Sequence, residues 1–126
     1  MCESTSAVFY SYHDGKRYDF SVTPELLANS PRWLEDQMDP PLPVRHAIAS
    51  AAAYMAKLFP DAKQWTRGVV ALMPVGDQWV YSIEYTEPPK NGCADCSSTP
   101  FQIIVTMDGA AVLAKVFPWK PQTKQP

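Results

Sequence analysis

One helix-period stretch followed by four strand-period stretches constrains this chain more than any other feature. Val44, Ala47, Ile48, Ala51, Ala52, Met55, Leu58 and Phe59 recur at three- and four-residue spacing and form one apolar stripe. The spacing predicts a helix over about 43–59, with Pro43 in its first turn and Pro60-Asp61 ending it. Ala51-Ala52-Ala53 adds helix propensity and leaves little bulk, so a sheet can approach closely. Alternating patterns then predict strands at about 66–75, 79–86, 101–107 and 110–117.

The strands can be read face by face, because successive side chains point to opposite sides. Trp79, Tyr81, Ile83 and Tyr85 share one face, as do Phe101, Ile103, Val105 and Met107. This greasy face is expected to cover the helix. Ser82, Glu84, Gln102 and Thr106 fall on the reverse, mixed face, which is expected to be open and is the candidate binding surface. Gly76-Asp77 and Asp108-Gly109 supply tight turns, whereas 87–100 is too rich in Pro, Gly, Asn and Ser to be regular.

Upstream, 7–12 and 17–22 are aromatic-rich and β-prone, with Asp14-Gly15 between them, a tight-hairpin signal. Thr23-Pro24-Glu25 reads as the start of a short helix: Thr caps, Pro has no N–H to lose, and Glu suits the positive end. An acidic connector with Glu35, Asp36 and Asp39 leads to the main helix. The expected fold is therefore α+β: one main helix packed on a four-stranded antiparallel meander, with an added N-terminal β-hairpin and short helix. A length of 126 residues suits a single domain, divided into hairpin and connector (7–42), helix plus meander (43–117) and a frayed tail (118–126).

The net charge of −2 argues against a general nucleic-acid-binding role, and no stretch reaches the roughly 18–20 apolar residues of a membrane span. Met1-Cys2-Glu3-Ser4-Thr5-Ser6 has neither the basic region nor the apolar segment of a leader. A Cys followed by a short polar stretch is also how a mature bacterial lipoprotein begins. Cys2 would then carry lipid if a signal peptide had been removed.

Cys93-Ala94-Asp95-Cys96 is the sharpest local motif. Two thiols three positions apart can close a local disulfide that staples a loop, chelate a metal, or act as a redox couple. An irregular loop between antiparallel strands suits the structural role best; Cys93 and Cys96 are otherwise the metal candidates. His13, in the turn, and His46, off the apolar stripe, are read as solvated. Trp119, between two prolines after the last strand, either plugs the end of the sheet or anchors a partner, and the plug is expected. No catalytic constellation and no phosphate-cradling Gly loop is visible, so no catalytic residue and no cofactor is assigned.

The helix-plus-meander at 43–117 resembles the cystatin-like group of folds, and within it small PepSY-like extracytoplasmic domains. The resemblance is carried by the Ala-rich helix at 47–53, by Gly76-Asp77-Gln78-Trp79-Val80-Tyr81-Ser82-Ile83-Glu84-Tyr85, and by the strand ending in Asp108-Gly109. It implies a module outside the cytoplasm that binds or inhibits peptidases or serves as an accessory, with no shared catalytic residues. Cystatins proper use a Gln-x-Val-x-Gly hairpin and a Pro-Trp hairpin. Gln78-Trp79-Val80-Tyr81 and Pro118-Trp119 echo these, but Ser82 replaces the turning glycine. The expected function is a non-enzymatic binding or accessory module with a protein or peptide partner. The rivals are a small ligand carrier or enzyme with a pocket between helix and sheet, and a metal or redox protein using Cys93 and Cys96.

Overall fold

The structure, a computed structural model, describes residues 7–88 and 100–119. Cys2, Cys93, Cys96 and most of the expected tail lie outside the described residues.

The chain opens with the expected hairpin, β1 (Ala7–His13) and β2 (Lys16–Val22), paired antiparallel. Asp14 and Gly15 both take positive φ, 52° and 74°, the pair of left-handed residues that a two-residue hairpin turn needs. Thr23 caps α1 (Pro24–Ala28): its Oγ1 accepts a hydrogen bond from the Leu26 N–H at 3.2 Å. The main helix, α2, spans Val44–Leu58, with Pro43 as its N-cap residue rather than inside the first turn. Ala47, Ala51 and Met55 form its buried ridge, while Val44 and Ala52, expected on the stripe, are exposed.

Helix and sheet meet on the predicted face. Just before α2, the Leu42 carbonyl accepts from the Tyr81 hydroxyl at 2.6 Å. Just after it, Phe59 packs edge-on to Phe101 at 5.1 Å between ring centroids. Phe101 is 1% exposed and also contacts the rings of Tyr18, Phe20 and Trp65, so β2, the sheet and the end of the helix share one aromatic centre. Edge-to-face pairs of this kind contribute about 0.5–1.5 kcal/mol each beyond area burial.

The expected four-stranded meander is corrected. The described strands form two antiparallel three-stranded sheets: β1–β2 with β6 (Ala114–Pro118), and β3 (Thr66–Val75), β4 (Gln78–Thr86) and β5 (Phe101–Thr106). The segment expected as one strand at 110–117 splits in two. Residues 110–112 fold back along β5, where Thr106 N–H donates to Ala110 O and Val112 N–H to Ile104 O. The chain then leaves β5, and β6 (Ala114–Pro118) pairs with β2.

The edge of β5 explains the split. Gln102, Ile104 and Thr106 turn their backbone groups toward that edge. At Gln102 the position is already taken by Ser11 of β1, whose Oγ accepts from Gln102 N–H at 2.9 Å and donates to Gln102 O at 3.1 Å. A last strand running on along β5 would have to displace it. The free side of β2 offers an alternative register that places Ala114 and Val116 opposite Phe20 and Tyr18. Tyr54 of α2 fixes the crossing, since its hydroxyl accepts from Ala114 N–H at 2.7 Å.

Ser11 is 2% exposed, so Ser11→Ala strips two backbone groups of their partner at a buried joint. Unfolding in urea should show a loss of about 1–3 kcal/mol. A loss below about 0.3 kcal/mol would show that the joint contributes little.

Candidate functional site

The four residues expected on an open face share that face but do not leave it open. Ser82 and Thr106 are 3% and 1% exposed, while Glu84 and Gln102 are half-buried. The side chains of Ser82, Gln102 and Thr106 find their partners inside the protein. Gln102 Nε2 donates to Ser82 Oγ at 2.8 Å, and the Thr106 hydroxyl lies against the Asp108 carboxylate and the Ala110 carbonyl. At the head of the same face Gln78 Nε2 donates to Leu27 O at 2.9 Å, which draws α1 onto it. β4 is thus sandwiched, with Val80 and Ser82 as buried as Tyr81 and Ile83. The open-face expectation is corrected for Ser82 and Thr106.

Exposed aromatic surface lies instead on the outer side of β1–β2–β6. The register puts Val8, Tyr10 and Tyr12 of β1, Arg17 and Asp19 of β2, and Lys115 and Phe117 of β6 on one face. Tyr10 is 50% exposed, Val8 43%, Phe117 39% and Trp119 36%. Arg17 organises the centre: its guanidinium lies 5.4 Å from the Tyr10 ring centroid and 5.1 Å from that of Phe117. Two hydrogen bonds hold it in plane, Nε to Asp19 Oδ1 at 2.7 Å and Nη2 to Asp19 Oδ2 at 3.1 Å. The bonds to Asp19 raise the Arg17 pKa further above its already high value, so the cation is permanent.

Trp119 extends this surface. Its backbone N–H donates to Gly15 O at 2.8 Å, and its ring lies 4.4 Å from that of Tyr12. It lies against the turn end of the hairpin, not at the end of the meander it was expected to plug, and is part of the exposed surface. The hairpin is legible in the sequence, but this face is not among the expected sites. Its signal was the alternation Val8, Tyr10, Tyr12, which puts three large side chains on the side away from the core.

His13 is not the solvated turn residue expected. It ends β1 on the inner face, with its ring 4.9 Å from Phe59 and 5.1 Å from Trp65, and its Nδ1 3.5 Å from Glu87 Oε1. His46 is exposed, as expected. Among the described residues no group of three or more His, Cys, Asp or Glu could hold a metal ion, and no helix is long and apolar enough to cross a membrane. A third feature is a cavity of about 410 Å³ between the start of α2 and the second sheet, lined by Asp39, Pro40, Pro43, Val44, Leu72 and Tyr81.

Burial pushes the phenols of Tyr18, Tyr81 and Tyr85 above their ordinary pKa of 10.0. The Tyr85 hydroxyl, in a residue 6% exposed, has no hydrogen-bond partner among the described residues. Below pH about 10 these phenols are neutral in folded and unfolded chains alike. Above it the unfolded chain ionises first, so stability falls as pH rises toward the folded pKa values. Tyr85→Phe should therefore raise stability at neutral pH by about 1 kcal/mol and flatten the alkaline loss. Denaturant titrations at pH 7 and above pH 10 check both effects, and a destabilised variant would mean the hydroxyl has a partner.

Comparison with known proteins returns no matching family model, no matching curated protein and no matching solved structure.

Proposed function

We propose that this chain is a non-enzymatic binding or accessory module that recognises a protein or peptide partner, in the manner implied by its resemblance to PepSY-like extracytoplasmic domains. The observation that carries the reading is the exposed face of Tyr10, Arg17, Phe117 and Trp119. Tyr, Trp and Arg are the side chains that dominate binding hot spots, because each offers a large rigid surface with a polar handle. Here they are held in place before any partner arrives. Asp19 fixes Arg17, Arg17 aligns the Tyr10 and Phe117 rings, and Tyr12 supports Trp119. Little side-chain freedom is left to lose on association, which favours affinity.

The face is also cheap to alter without harming the fold, since its aromatic side chains stand on the solvent side of the sheet. A photocrosslinker placed at Tyr10 should join the chain to one dominant partner in its native cell. That partner, purified, should bind the wild-type chain and lose at least tenfold in affinity to Tyr10→Ser and to Trp119→Ser, about 1.4 kcal/mol or more each. Val69→Ser, on the other sheet, serves as the control and should leave that affinity unchanged. A partner indifferent to both aromatic substitutions would overturn this face as the binding surface, and turnover of a substrate by the purified chain would overturn the non-enzymatic reading.

A further inference from the structure

The second sheet ends in an edge that nothing in the described structure covers. β3 is its outermost strand, and no hydrogen bond reaches that strand's outer side from any described residue. The pairing fixes which backbone groups point outward. Val75 and Gln78 close a two-residue turn at Gly76-Asp77, so they form a hydrogen-bonded pair. Alternation from that pair turns Ala71 and Met73 toward β4, and Val70, Leu72 and Pro74 outward. The free edge therefore presents the N–H groups of Val70 and Leu72 and the carbonyls of all three.

Two features bound this stretch. At one end the register slips between Arg67 and Val70, and at the other Pro74 has no N–H. Bulges and prolines are how natural edges avoid long self-pairing. What remains regular between them is 70–74, long enough for a short added strand and too short for an extended sheet-to-sheet contact.

The cavity beside α2 adjoins this stretch. Val70, Leu72 and Pro74 carry their side chains on the helix side of the sheet, with Ile83, Tyr81 and Trp79. Leu72 and Tyr81 are also walls of the 410 Å³ cavity. A residue added opposite Leu72 would send its side chain to the same side, toward that opening. The walls are apolar apart from Asp39 and the Tyr81 hydroxyl, and the latter is committed to the Leu42 carbonyl. Asp39 is exposed and has no ion pair among the described residues.

We infer that β3 accepts an extended peptide as an added strand along 70–74, with a lysine or arginine side chain of that peptide lodged in the Asp39 cavity. Backbone bonds supply sequence-independent affinity, and the cavity supplies specificity, the usual division in strand addition. A long basic side chain suits the site because its aliphatic stem can lie against Pro40, Pro43, Val44 and Leu72 while its charge meets Asp39. The inference rests on the proposed binding role but uses the other sheet, so the two fail separately. Loss of the partner on Tyr10→Ser speaks only to the aromatic face, and the peptide experiment only to β3.

The probe is a fluorescein-labelled seven-residue peptide of alternating threonine and valine with a central lysine, added to the full chain. Fluorescence polarisation should show saturable binding. A central glutamate should weaken it at least tenfold, and Asp39→Asn should remove that difference. Asp39 is exposed, so this variant leaves the fold intact, which a thermal melt confirms. N-methylation of the peptide on its pairing edge should abolish binding. Backbone amide spectra should show the Val70 and Leu72 N–H groups becoming protected from exchange. The inference is overturned by absent saturation, by binding insensitive to N-methylation, or by equal binding of the lysine and glutamate peptides. It is equally overturned if n-butylammonium competes as well as the peptide, which would mark a small-cation cavity without strand addition.

Discussion

The architecture depends on one hydroxyl standing where a strand would otherwise pair. Ser11 satisfies both the N–H and the carbonyl of Gln102, and so occupies the edge of β5 with a side chain. Two results follow. The hairpin is held against the second sheet without becoming part of its ladder, and the chain leaving β5 is turned away after only a short return. Everything downstream, including the pairing of β6 with β2 and the crossing under Tyr54, is what remains possible once that edge is taken.

Elements whose signals are local could be read from the sequence. The Asp14-Gly15 turn, the Thr23 cap, the ridge of Ala47, Ala51 and Met55, and the commitment of Tyr81, Ile83 and Tyr85 to the helix side each depend on residues a few positions apart. What could not be read depends on one long-range competition. Ser11 and Gln102 are 91 positions apart, and nothing in the alternation of 110–117 reveals that β5 has no room for it. The mixed face of Ser82 and Thr106 misled for a related reason. Small polar residues look solvent-facing in a list, yet in pairs they can satisfy one another and be buried at little cost.

The two sheets divide the polar and aromatic character of the chain unequally. On the second, Gln78, Ser82, Gln102 and Thr106 are paired within the protein, and the proposed outward resource is the backbone of β3. On the first, the outward resource is side chain: Tyr10, Arg17, Phe117 and Trp119. Arg17 shows how such a face can be held in order while exposed. Its charge is shared between a carboxylate and two rings, which holds the rings on either side of one guanidinium.

The pairing of β2 with β6 also sets an order of events during synthesis. Lys16 meets Pro118, so the first sheet begun is the last one finished, and about a hundred residues of chain must be made in between. Until then Tyr18 and Phe20 sit in a bare two-stranded hairpin, which is marginal in water by itself. A newborn chain thus carries an unfinished β2 edge until β6 has been made. The hairpin is consequently guarded by the translation of 114–118, and a chain interrupted after β5 is left with the β6 edge of β2 open.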